Sequence, residues 1–340
     1  MRAWPLVVGL AACGAHSTPS QPDGPVTAGS DAGIDAPAGP TWTPLISRNY
    51  AVDNNNPEIY VCRREKVTQD MWISGFRSEL PAGTLRVWLT IDPSTSTATG
   101  NITPCDGTVG VQYGQLLFAD THGPNQYNVV QFPAGRAVHI PAGSYIMLNA
   151  SVYEAQANVP NTGTLNIDVA TVPEGEVLHE LQATLLGTNT INITSTGTPQ
   201  KATGSCSAGT QDYHVLAMWP HMHTLGTHSH VTIFHPSNNV NDVLVDQPFQ
   251  FDNQPTDVIS ERTLAVGDQL NLVCSYVLPA YTCDYNSQAK YCPPPVACGT
   301  DNLCHVGQSD SLGGEACFTA VYMWPPPNSA LGCMSGNTPI

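Results

Sequence analysis

The segment YHVLAMWPHMHTLGTHSHVTIFHP, residues 213–236, holds six of the chain's 11 histidines. In an acidic chain, with 11 Lys+Arg against 27 Asp+Glu, such a concentration of imidazole points to metal coordination. His221 and His223 are one residue apart, so on a strand both project from one face while Met222 points away. Two imidazoles about 6–7 Å apart along one face can converge on a single ion, and imidazole suits copper, zinc, nickel and iron. If TLGT closes an even-length hairpin, the register sets His223 opposite His228 and His221 opposite His230, and four histidines share one face. A three-residue loop with a bulge breaks that register and leaves His228 and His230 as solvent-facing strand residues. His214 and His235 fit no ligand spacing and read as structural.

These residues resemble the copper type II, ascorbate-dependent monooxygenase family, which includes peptidylglycine alpha-hydroxylating and dopamine beta-monooxygenases. YHVLAMWPHMHTLG is similar to that family's H-x-H-x-L-G segment with its upstream Tyr-His. The likeness extends outward in order, through Cys206, GDQLNLVC ending at Cys274, GGEAC ending at Cys317, and Cys333, with EIYVC and PCDG in the N-terminal half. It covers nearly all of residues 45–335 and implies the bridges Cys62–Cys105, Cys206–Cys333 and Cys274–Cys317. It further implies two copper ions on facing domains across a solvent-filled gap. One, held by three histidines, stores and passes an electron; the other, held by two histidines and a methionine, activates oxygen.

The two histidines of the second site carry over onto His221 and His223. Its methionine does not, because Ala316 stands before the cysteine of GGEAC. With no thioether, the next donors are His228 and His230 by hairpin register, or Glu315 as a carboxylate on the neighbouring strand. The ligand set becomes harder, which favours Cu(II) or Zn(II) over Cu(I). The electron-storing site is expected to be absent. Its adjacent histidine pair should fall where Val87 and Trp88 stand and its third histidine near Val152, while His122 and His139 lie in other segments.

The expected cofactor is therefore one copper ion, with zinc as the alternative metal. Three functions compete: a hydroxylase working with one copper, an external electron donor and a small-molecule or peptide substrate; a non-catalytic metal-binding surface protein; and a structural β-sandwich lipoprotein with incidental histidines. Hydrolytic chemistry has no motif, since G-x-S-x-G, H-E-x-x-H and a phosphate loop are all missing, and HELQATLL at His179 lacks the second histidine of a zincin. The net charge of −16 opposes nucleic acid and anionic membrane surfaces as partners.

The elements that must carry this chemistry are strands. TLRVWLTI, YIMLNASVY, TLNIDVATV, HVTIF, QLNLVCSY and CFTAVYMW are short, period-two or fully apolar runs split by Gly, Pro and Asn. They predict an all-β chain of two antiparallel, jelly-roll-like β-sandwich domains in tandem, residues 41–172 and 173–340, the second with a Cys-rich insertion at 278–312. Ahead of them, MRAWPLVVGLAACG reads as a bacterial lipoprotein signal ending at a lipidated Cys13, with an ordinary signal peptide as the alternative. Residues 14–40 are Gly, Pro, Ser, Ala and Asp, the composition of a flexible tether. The expected location is the bacterial cell envelope, on the outer membrane or the cell surface, with the lipid as the only membrane attachment. Export suits the ten remaining cysteines, an even number read as five disulfides. A zinc site on Cys292, Cys298 and Cys304 is the alternative, although their five-residue gaps are wider than a zinc ribbon's.

Overall fold

The computed structural model describes residues 39–52, 58–110, 114–121, 127–153, 161–283, 292, 296–327 and 333–335. The signal segment with Cys13, nearly all of the tether, and His122 lie outside these residues. The described residues contain strands and one short 3-10 turn, Glu174–Glu176, and no α-helix. No helix among them is long and apolar enough to cross a membrane. The all-β expectation holds.

Residues 40–340 form one compact unit. Its centre is a ten-stranded sheet, and a five-stranded and a four-stranded sheet contribute the facing layers. The boundary suggested near residue 173 falls in the 3-10 turn, yet hydrogen bonding continues past it. Strand His179–Thr188 pairs in parallel with Arg136–Ile140, so strands from both halves share one sheet.

The reason lies in the sequence of the shared strands. Along Phe318–Trp324, Phe318, Ala320 and Tyr322 enter a first core with Trp88, Phe76 and Phe132, while Val321 and Met323 enter a second core with Leu270 and Leu272. Period-two projection thus buries both faces of the strand, and FTAVYMW is apolar except for the buried Thr319 instead of alternating with polar residues. Tyr213–His221 behaves the same way, with Trp219 and Ala217 in the first core and Met218 and Val215 in the second.

All ten cysteines downstream of Cys13 are oxidised. The three bridges implied by the resemblance form, and the remaining four cysteines pair as Cys283–Cys298 and Cys292–Cys304. The sulfurs of Cys283, Cys292 and Cys304 lie within 4.8 Å of one another. Disulfide sulfur offers no thiolate, so the zinc alternative on this insertion has no ligands. Five disulfides are the signature of an oxidising compartment.

Asp120 supplies a test of core electrostatics well away from the histidines. It is buried, and its carboxylate accepts from Ser78 Oγ, from the Thr121 amide at 2.9 Å and from Asn128 Nδ2 at 2.9 Å. Burial nonetheless pushes its pKa up to about 7, against the pull of those donors. A carboxyl whose folded pKa lies above its unfolded value contributes stability below the unfolded pKa, near 4, and loses that contribution as pH rises through about 7. Asp120→Asn removes the titration while keeping an acceptor. Wild type should therefore lose a few kcal/mol relative to the variant between about pH 4 and pH 8, measured by urea denaturation across that range.

Candidate metal centre

Strand Tyr213–His221 pairs with Phe318–Trp324 along its length on one edge and, from Tyr213 to Met218, with Asp257–Leu264 on the other. A ten-residue strand such as Gly226–His235 therefore has no free edge to run back along. Instead the chain crosses to the facing four-stranded sheet. Met222 is buried, the Gly226 amide donates to the His223 carbonyl at 3.1 Å, and Gly226–His235 then pairs with Val240–Pro248 and Gln269–Tyr276. The crossing is tight: a Cβ on Gly226 would meet Met222 Cβ at 2.8 Å and the Phe249 ring at 2.9 Å.

This corrects the four-histidine face. His228 and His230 lie in a different sheet from His221, opposite Pro248 and Asp246, and neither pairs with His221 or His223. Both rings lean on Asp246 instead.

His221 and His223 do come together. His221 closes its strand, His223 begins the crossing turn, and their rings stand 5.2 Å apart at 82°. Both residues are 1% exposed. Two hydrogen bonds set their tautomers. Gln254 Nε2 donates to the Phe251 carbonyl at 2.8 Å, which turns its Oε1 toward His221 Nδ1, also at 2.8 Å. An amide oxygen only accepts, so His221 carries its proton on Nδ1 and Nε2 is a bare lone pair. That Nε2 is buried and has no hydrogen-bond partner. His223 Nδ1 likewise donates to the Gly314 carbonyl at 2.9 Å. His221, held at Nδ1 and bare at Nε2, is in the form that ligates a metal, with the Gln254 amide orienting the ring.

Both rings are neutral at physiological pH. Burial drives His221 well below the ordinary imidazole range, and the neighbouring His223 and Arg86 push the same way. Burial lowers His223 to about 4, outweighing the Gly314 and Ser311 carbonyls that favour its protonated form.

The segment after Ser311 braces the pair. Glu315, buried, accepts from the His223 amide at 2.9 Å and the Leu225 amide at 2.7 Å. Burial raises its pKa to about 7, and the two amides oppose the rise. It stands beside the histidines as the anchor of their turn. Tyr276 donates its hydroxyl to the Ala316 carbonyl at 2.6 Å, and Cys274–Cys317 ties the same segment to the four-stranded sheet. Ala316 itself is buried in the first core.

Where the resemblance implies a second metal site, the chain is packed with hydrocarbon. Val87, Trp88 and Val152 are fully buried, and Trp88 lies 5.9 Å from Trp219 and 5.4 Å from Phe318. Trp219 in turn stacks on His221 at 4.9 Å. Aromatic rings thus fill the region next to the pair. His139 stacks on Trp72 at 4.1 Å, His214 on Trp324 at 3.8 Å, and His235 Nδ1 meets Asp268 at 2.9 Å. The structural reading of His214 and His235 agrees with these contacts.

Gln254, Gly314 and Arg86 matter at the centre but were not singled out in the sequence. Gln254 lies 33 residues from His221 and Gly314 lies 91 from His223, so no local spacing announces them.

No family model matches the chain, and no curated protein does. Among solved structures, a presumed secreted protein from Parabacteroides distasonis ATCC 8503 aligns over 86% of this chain and 84% of its own, at 9% identity and a TM-score of 0.15. A likeness that low carries no argument about fold or function.

Proposed function

We propose that this is an exported copper-binding protein of the copper type II monooxygenase type, which holds one copper ion through His221 and His223 and does not run two-copper hydroxylation. The observation that carries the reading is His221 Nε2: buried, deprotonated by the hold of Gln254 on Nδ1, and without a partner. Leaving such an acceptor unpaired costs about 1–3 kcal/mol, which a bound ion offsets. Neutral imidazoles at pH 7 release no proton on binding, so the site needs no titration before loading.

The charge state follows from the surroundings. Structural zinc sites use four ligands, and among the described residues no third His, Cys, Asp or Glu ligand atom closes a set within 4.8 Å with His221 and His223. A dry site beside the buried Arg86 guanidinium also penalises a divalent ion more than a monovalent one. Both arguments favour Cu(I), overriding the preference for harder ions that the missing thioether alone would set. Bound copper supplies a one-electron couple. Trp88, Val87 and Val152 stand where the resemblance would need histidines to supply a second stored electron. Binding, storage or transfer of copper is the function left to the site.

Cu(I) titration against a chromogenic chelator tests this. Wild type should take one ion per chain, and His221→Ala or His223→Ala should lower affinity by at least a hundredfold. His228→Ala should leave it unchanged, because His228 belongs to another sheet. Ascorbate-dependent oxygen consumption by the copper-loaded protein would favour the hydroxylase reading instead.

A further inference from the structure

We propose that His228, His230 and Asp246 form a separate surface site for a divalent metal ion of the zinc class. The two histidines are two residues apart on strand Gly226–His235, so both leave from one face of the four-stranded sheet. Asp246 is the direct cross-strand partner of His230 and the diagonal neighbour of His228. Its Oδ1 lies 3.2 Å from His228 Nε2 and 3.1 Å from His230 Nδ1.

Those two contacts bring both imidazoles to one carboxylate, with the ring nitrogens themselves still more than 4.8 Å apart. Ligand atoms bound to zinc at about 2.0–2.2 Å stand about 3 Å apart or a little more, and two imidazoles with one carboxylate are a familiar zinc donor set whose open positions take water. Both imidazoles converge on the same carboxylate oxygen. The side chains are 38%, 34% and 56% exposed, so a hydrated ion reaches them without any opening of the fold. The three atoms do not all lie within 4.8 Å of one another. Closing the set therefore means rotating the two exposed rings inward around the ion, which surface side chains do freely. The carboxylate partly neutralises a divalent charge, and the net charge of −16 adds a favourable background.

The site is independent of the buried pair, and the experiment separates them. Zn²⁺ alone is titrated against a competing chelator into the oxidised full-length protein, with thermal melting to confirm that each variant is folded. Wild type should bind one surface ion, and His230→Ala and Asp246→Asn should each weaken Zn²⁺ at least tenfold while leaving Cu(I) binding intact. His235→Ala, whose ring faces Asp268, should change nothing. No Zn²⁺ uptake by wild type, or His230→Ala and Asp246→Asn affinities within twofold of it, overturns the proposal. Zn²⁺ lost in His223→Ala but kept in His230→Ala would place the ion at the buried pair and overturn it equally.

Discussion

Trp219→Ala should lower the free energy of unfolding by about 3–5 kcal/mol, a large share of the total stability of an ordinary domain. Trp219 is fully buried on a strand of the shared sheet, and its ring touches Trp88 at 5.9 Å, Phe318 at 6.2 Å and His221 at 4.9 Å. Removing it empties the junction where strands from both halves meet, and the neighbouring rings are themselves too enclosed to collapse into the space. Trp219→Phe should lose much less, since the indole Nε1 has no hydrogen-bond partner to forfeit. Urea denaturation with an unchanged m-value measures both. A Trp219→Ala loss below about 1 kcal/mol would mean that the junction is not the packed core described above.

The second large effect is expected at Glu315. Glu315→Ala strands two amides, the buried His223 N–H and the part-buried Leu225 N–H, each losing its acceptor. At about 1–3 kcal/mol per orphaned donor, the variant should be destabilised by about 2–6 kcal/mol. Copper affinity should fall with it, because the turn that aims His223 loses its anchor. Glu315→Gln keeps one acceptor and should lie between the two. If Glu315 were a metal ligand and not a brace, Glu315→Ala would weaken copper binding while leaving the metal-free protein as stable as wild type.

Much of this arrangement was legible in the sequence, for identifiable reasons. Strands such as TLRVWLTI and CFTAVYMW announce themselves because they are short, mostly apolar runs, and in CFTAVYMW because both faces of the shared sheet are buried. The pair His221–His223 is visible because its spacing is local. The path after it is not. TLGT is compatible with a hairpin, and what opposes one is that strands far along the chain, Phe318–Trp324 on one edge and Asp257–Leu264 over Tyr213–Met218 on the other, already pair with Tyr213–His221. A local reading sees the turn residues but not the occupied edges, so it set His228 and His230 on the wrong sheet. The hold of Gln254 on His221 and of Glu315 on the turn is similarly non-local, made of single hydrogen bonds that leave no periodic trace.

The central claim is that the buried nitrogens of His221 and His223 hold copper. X-ray absorption at the copper edge of the Cu(I)-loaded protein addresses it most directly. The expected spectrum shows two imidazole nitrogens and no sulfur, because Ala316 stands where the resemblance would place a methionine, and it should vanish from His221→Ala after equal loading and washing. A sulfur ligand, or a spectrum unchanged in His221→Ala, would contradict the account.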